Sequence, residues 1–382
     1  MKFTFVIFSL SILLATGCFQ TEPGRVAEVT ADSTTSRLSP AEHARYANAA
    51  RHFYDSALAP IGFNGAMLVA KNGEIVFEQY SGTRHLKGTD TIDANTSFHL
   101  ASVSKTFTAM AILKLWEEKK LSLSDSLGKY FPAFPYPGID IRMLLNHRSG
   151  LANYTHYLDH YKWDKKIRAT NKDVLQSLYT YRPPLQFATG RHFSYCNTNY
   201  ALLALIIEQV SGKWYGEYLA ETFFRPLKMD NSFVFQWSDS ARVTPSYEYN
   251  TRLYPFDFLD LVYGDKNIYS TPRDLLKWDQ ALYAGKLFSA ATMDSAFTPY
   301  SLEKPGVRNY GLGWRMQVPA SGPKVIYHNG WWHGNNTVFT RLIADTATII
   351  VLGNKRNGAI YRVKPLFRYF PHYGGSQEEL EE

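Results

Sequence analysis

Strand-forming runs in this chain are confined to its two ends. Near the start, Ala66-Met67-Leu68-Val69-Ala70 and Ile75-Val76-Phe77 flank Asn72-Gly73. Both residues of that pair tolerate positive φ, so it predicts a tight hairpin between two strands. Near the end, Lys324–Tyr327, Thr337–Ile343 and Thr346–Leu352 read as strands, the last two joined by a tight turn at Ala344-Asp345. Between these regions, from Leu121 to about Tyr263, short helices and Pro- or Gly-marked loops dominate and strand alternation is scarce. Strands at both ends with helices between them predict one antiparallel sheet carrying a helical insertion, a mixed α/β (α+β) architecture.

Helices should flank that sheet. Ser39-Pro40-Ala41-Glu42 is a capping box with proline in the first turn, so a helix starts there. A final helix is expected around Ala359–Tyr369. From Lys105 to Lys120 the composition is helical, and Phe107, Met110, Ala111 and Leu113 make its first half apolar on most faces, which predicts burial. The folded part should therefore span 40–370, with a sheet lobe of about 40–104 and 264–370 and a helical lobe of about 105–263. Residues 371–382, ending Gln377-Glu378-Glu379-Leu380-Glu381-Glu382, read as a solvated acidic tail.

The amino terminus reads as an address. Lys2 precedes an apolar run from Phe3 to Ala15, too short to span a bilayer and followed by the small residues Ala15-Thr16-Gly17. This is a secretory signal over residues 1–17. Small residues directly before Cys18 resemble the bacterial lipobox, in which the cysteine is lipidated and becomes the first residue. Here Ala15 stands where leucine is usual, with Leu14 one position earlier. Residues 18–39, rich in Ser, Thr and small residues, then form a tether. The expectation is a lipoprotein held to the bacterial cell envelope, facing the periplasm or exterior.

Composition narrows the chemistry. The 382 residues include only 2 cysteines, which excludes a disulfide scaffold and any zinc site built from several thiolates. With Cys18 lipidated, Cys196 is left as a free, packed thiol. Lys and Arg number 41 against 34 Asp and Glu, a net +7 spread without a polybasic block, so no nucleic-acid partner is expected. His156, Asp159 and His160 have helical ligand spacing but no third partner in a recognised pattern, so neither metal nor cofactor is expected. No dinucleotide fingerprint, phosphate loop, nucleophile elbow or His-Glu-X-X-His occurs. Oligomeric state is not indicated.

The chemistry-bearing residues begin with Ser102-Val103-Ser104-Lys105. A serine and a lysine three apart at a helix start lie on one face. A serine hydroxyl is a weak nucleophile that needs an adjacent base, and a lysine in an apolar pocket can serve it. The helix start adds N–H groups suited to an oxyanion. Four further segments follow in order: Leu144-Leu145-Asn146-His147-Arg148-Ser149-Gly150-Leu151, Phe193-Ser194-Tyr195-Cys196-Asn197-Thr198-Asn199-Tyr200, Tyr310-Gly311-Leu312-Gly313-Trp314 and His328-Asn329-Gly330. Lesser echoes are Arg225-Pro226-Leu227-Lys228-Met229 and Ser270-Thr271-Pro272-Arg273-Asp274-Leu275.

Together these resemble the serine β-lactamase and penicillin-binding protein superfamily, in its class C-like branch, which includes esterases and D-amino-acid peptidases. The resemblance covers about Gly65 to Asn354. It implies Ser102 as nucleophile, Lys105 as its partner and Tyr195 as proton carrier. Asn197 would orient Lys105 and bind a substrate amide. His328, Asn329 and Gly330 would form the substrate-facing strand, and the N–H of Trp331 would join that of Ser102 as oxyanion hole. Lysine is commoner at the position of His328. Histidine, with a reference pKa near 6.5, is mostly neutral at pH 7, so the carboxylate clamp is weakened or supplied elsewhere. His147 should tie a loop by hydrogen bonds, and Trp331-Trp332-His333 should line the cleft. The implied activity is an acyl-enzyme serine hydrolase acting on a small-molecule or peptide substrate through an ester or amide bond. The rival readings are a β-lactamase or D-alanyl-D-alanine carboxypeptidase, and a non-catalytic penicillin-binding or sensory module.

Overall fold

The structure is a computed structural model that describes residues 37–374, apart from 284, 286 and 304. The expected signal segment, Cys18, most of the expected tether and the expected acidic tail beyond 374 lie outside the described residues.

Seven strands form the main sheet: β1 (Gly65–Lys71), β2 (Glu74–Ser81), β3 (Arg308–Tyr310), β4 (Arg315–Gln317), β5 (Val325–Trp332), β6 (Asn335–Leu342) and β7 (Ala347–Gly353). Their order across the sheet is β2-β1-β7-β6-β5-β4-β3, antiparallel throughout. The two ends of the chain meet where Gly65 of β1 pairs with Gly353 of β7. Asn72 and Gly73 turn the first hairpin at φ 55° and 78°, as their tolerance of positive φ predicts. His328-Asn329-Gly330 lies within β5, which runs on to Trp332. The expected turn at Ala344-Asp345 is a short 3-10 turn over Ile343–Asp345.

Both faces of the sheet are covered, which explains why β7 is buried along its whole length and apolar without a break over Ile349-Ile350-Val351-Leu352. The strand period of two sorts its residues. Ala66, Leu68, Phe339, Ile350 and Leu352 face the helical part of the molecule. Met67, Val69, Val338, Ile349 and Val351 face α1 (Pro40–Phe53) and the carboxyl-terminal turns. α1 begins with the expected capping box between Ser39 and Glu42. The expected final α-helix is instead two 3-10 turns, Gly358–Tyr361 and Lys364–Tyr369. Pro365, which has no N–H to donate, favours a helix start over a continuous helix at that point.

α2 (Ser104–Glu117) is the central helix and is buried almost to its end at Leu115, further than the apolar first half predicts. It packs on α3 (Asn197–Ser211), itself apolar on most faces, while α4 (Pro272–Ala281) lies against β1 and β7. A small sheet of Phe98–His99, Ile268–Ser270 and Phe233–Val234 ties the chain before α2 to the segment before α4.

Three histidines are enclosed by this packing. Burial holds His99 down to about 4, despite its bond to Asn267. Burial also pushes His147 and His328 well below the usual imidazole value, and the nearby cations of Lys105 and Arg315 push the same way. In the unfolded chain each would take up a proton below about pH 6.5, which the folded chain refuses. Stability is therefore unaffected by these groups above about pH 7. It falls as the pH drops through 6.5, and for His99 the loss continues to its folded value of about 4. Each histidine contributes about 1 kcal/mol per pH unit to that slope. Urea titrations should show the unfolding midpoint falling from pH 7 to pH 5, and His99→Gln should flatten the fall by one proton's share. A midpoint constant over that range would contradict the assignment.

Candidate active site

Ser102 sits on the 3-10 turn Ala101–Val103 that leads into α2. The residue before it, Ala101, is held at φ 48°, a left-handed conformation that costs energy for a residue with a Cβ. Its surroundings fix it there. Ala101 N–H donates to His99 Nδ1 at 3.0 Å, and His99 Nε2–H donates to Asn267 Oδ1 at 2.8 Å. Thr337 of β6 donates to the Leu100 carbonyl at 2.7 Å. A Cβ on Gly330 would stand 2.4 Å from that same carbonyl and 2.3 Å from Thr337 Oγ1. Glycine is thus required at position 330 for β5 to press against the Ser102 turn.

Lys105 follows one turn later, fully buried, with Nζ 3.0 Å from Ser102 Oγ. The second anchor of its amine is the Asp265 carbonyl, at 2.7 Å. Among the described residues the expected bond between Lys105 and Asn197 is not formed. Asn197 is the first residue of α3, and its buried Oδ1 has no hydrogen-bond partner. Tyr195 approaches from the same segment. Its ring centroid lies 5.0 Å from Lys105 Nζ and 4.8 Å from the Arg315 guanidinium carbon, and its buried hydroxyl is also unpartnered.

His147 ties the loop as expected: its Nδ1 accepts the Cys196 N–H at 3.1 Å, and its ring packs against that of Tyr195, with centroids 4.4 Å apart and planes tilted by 40°. Cys196 is buried, with Sγ 3.2 Å from the Leu151 carbonyl, and burial pushes its thiol up to about 11. It is a packing residue.

His328 is fully buried on β5. Its Nδ1 lies 2.8 Å from the Asn329 carbonyl, which can only accept, so Nδ1 carries the proton. Nε2 then accepts the Tyr310 hydroxyl at 3.1 Å. Both nitrogens are satisfied by a neutral ring. The cation that sequence reasoning did not find at this position stands on β4: Arg315, opposite Tyr327, has no ion-pair partner among the described residues. The signal was one residue beyond the quoted Tyr310–Trp314 motif.

Ser102, Tyr195, Asn197, Arg315, Asn329, Gly330 and Trp331 line one cavity of about 910 Å³, while Lys105 and His328 lie behind its wall. Trp331 is 58% exposed, so its indole faces the opening. Lys165, Asp257 and Arg356 add charge at the rim. The arrangement joins a hydroxyl held by an amine, an unpaired phenol and amide, and an open strand edge. That set suits nucleophilic acyl transfer. His156 and Asp159 also reach the cavity, where Asp159 is ion-paired with Lys165 at 2.7 Å. Among the described residues, the group whose ligand atoms lie close enough together to hold a metal is a different one, Asp257, Asp260 and His333. Sequence reasoning also missed His99, which holds the nearby Ala101 N–H but is itself oriented by the distant Asn267, and Asp265, whose carbonyl reaches Lys105 from 160 residues along the chain.

Comparison with known proteins agrees with this geometry. The chain is 33% identical over 315 residues to "Penicillin-binding protein 4*" of Bacillus subtilis (strain 168), covering 78% of this chain and 70% of that protein. It is 26% identical over 311 residues to "Teichoic acid D-alanine hydrolase" of Staphylococcus aureus (strain NCTC 8325 / PS 47), covering 80% of this chain and 74% of the relative. The fold matches D-amino acid amidase from Ochrobactrum anthropi SV3 with a TM-score of 0.69 at 21% identity, over 85% of this chain and 98% of the other. The Beta-lactamase family model matches residues 60–365. The chain belongs to the Beta-lactamase family and is a serine hydrolase of the β-lactamase and penicillin-binding protein superfamily.

Proposed function

We propose that Ser102 is the nucleophile of an acyl-enzyme hydrolase acting on an ester or peptide bond, with Lys105 and Tyr195 as its proton-handling partners. The observation that carries this is the 3.0 Å contact between Ser102 Oγ and Lys105 Nζ, beside a buried phenol with no hydrogen-bond partner. Ser102 Oγ attacks the carbonyl carbon, and its proton passes towards Tyr195 Oη. The N–H groups of Ser102 and Trp331 receive the negative oxygen. The leaving amine or alcohol takes the proton as its bond to carbon breaks, and water then repeats the sequence on the acyl-Ser102 ester.

A fluorophosphonate probe should label the wild-type protein and leave Ser102→Ala unlabelled, while Lys105→Ala should lower kcat/KM for a small ester by about 10²- to 10⁴-fold. Equal labelling of wild type and Ser102→Ala would overturn the choice of nucleophile.

The substrate reading is sharpened by Arg315. A neutral His328 removes the usual reason to expect a carboxylate clamp, yet an unpaired guanidinium stands on the neighbouring strand in the same cavity. Arginine grips a carboxylate with two parallel hydrogen bonds. This supports a second, narrower reading, a peptide with a free terminal carboxylate, as in D-alanyl-D-alanine cleavage. Arg315→Ala should cut kcat/KM at least tenfold for such a peptide and much less for p-nitrophenyl acetate. An equal effect on both would remove the clamp from the account.

The envelope address at residues 1–18 belongs to the same proposal and rests on those residues alone; among the described residues no helix is long and apolar enough to cross a membrane. Expressed in a bacterium fed labelled palmitate, the full chain should incorporate label and Cys18→Ala should not. Label retained by Cys18→Ala would place the anchor elsewhere.

A further inference from the structure

β5 has an open edge facing the cavity. β4 pairs with it only from Val325 to Tyr327, so residues 328–332 have no strand neighbour on that side among the described residues. The two ends of this edge carry opposite charge. Arg315 stands at the start, opposite Tyr327. At the far end stands Asp257, with Oδ2 3.9 Å from Nε2 of His333, the residue after Trp332. Both line the cavity that holds Ser102. The span from Tyr327 to Trp332 is five steps, about 16 Å.

Asp257 is available to a ligand. Its Oδ1 accepts the Leu259 N–H at 2.7 Å, and its side chain is 37% exposed. The charges that face it are Asp260, His333 and Lys266. Asp260 receives Trp332 Nε1–H and His333 Nε2 at 2.6 and 3.1 Å. Lys266 is committed elsewhere: its Nζ donates to the Val262 carbonyl at 3.1 Å and to the Tyr154 hydroxyl, and lies 3.6 Å from Asp265. Burial, and then repulsion from Asp260, raise the Asp257 carboxyl, and an added cation would relieve that repulsion.

We propose that Asp257 is a specificity-determining residue that binds an ammonium group on the acyl side of the substrate, one residue upstream of the carbonyl that Ser102 attacks. This rests on the assignment of Ser102 and deepens it. A peptide laid along the edge with its carboxylate at Arg315 and its ammonium at Asp257 runs antiparallel to β5, a standard mode of strand addition. With the attacked carbonyl at Trp331 N–H, β5 ends one residue on at Trp332, and Asp257 stands past that end beside the turn residue His333, whose φ is 54°. The nitrogen of the cleaved residue itself is only about 2.5 Å from its carbonyl carbon, whereas that of the preceding residue is about 6 Å away. Only the second reaches beyond the single strand step of about 3.3 Å from Trp331 to the strand end.

The test is inhibition of p-nitrophenyl acetate hydrolysis by L-alanyl-D-alanyl-D-alanine and by its N-acetyl derivative, which does not require the peptides to be cleaved. In the wild type the free amine should bind about tenfold more tightly, as a charge-assisted contact at a partly exposed carboxylate. Asp257→Asn should bring the ratio near one, and Asp257→Glu should restore part of it. Asp159→Asn, whose carboxylate is already paired with Lys165, should keep the wild-type ratio. A ratio near one in the wild type, or a preference that survives in Asp257→Asn, overturns the proposal while leaving the hydrolase reading intact. Ester hydrolysis that is undiminished in Ser102→Ala would remove the nucleophile assignment, and this inference with it.

Discussion

A lysine amine enclosed in protein, without a carboxylate beside it, is the constraint on which the rest of the site depends. Among the described residues Lys105 has no ion-pair partner. Its amine is held by a carbonyl, a hydroxyl and the faces of Tyr195 and Tyr200, 5.0 and 5.6 Å away. Removing such a group from water is costly unless its hydrogen bonds are replaced. Each replacement comes from a different element: the Asp265 carbonyl from the segment before α4, Ser102 from the turn before α2, and Tyr195 from the loop before α3. The site can exist only when all three are assembled.

That assembly is paid for by packing rather than by charge. α2 is buried around nearly its whole circumference, and the sheet behind it is covered on both faces. The strained φ at Ala101 persists because His99, Thr337 and Gly330 hold the backbone around it. The same enclosure makes His328 neutral, and this shifts the positive charge of the cleft onto Arg315. In the proposed reading, charge recognition thereby moves from the strand that carries the motif to its neighbour.

Much of the site was legible in the sequence because it depends on local spacing. Ser102 and Lys105 share a face wherever that segment is helical, and Asn72-Gly73 makes a hairpin from its own φ preferences. Arg315, Asp257, Asp265 and His99 were not legible. Arg315 meets the cleft only because β4 pairs with β5 in one register, placing it opposite Tyr327. A shift of one residue would turn it to the other face. The carboxyl-terminal segment was misread for a related reason: helical composition over 359–369 does not show that Pro365 divides it into separate turns.

By itself, then, the sequence determined the antiparallel sheet with its helical insertion, the serine–lysine pair and the order of the family motifs. Periodicity, turn chemistry and helical spacing act over a few residues, and they leave their mark in the chain. Only the tertiary structure decided which carbonyl holds Lys105, which tautomer His328 adopts, and that the open edge of β5 lies between Arg315 and Asp257. Those outcomes follow from strand register and burial, which bring together groups many residues apart and have no local signature.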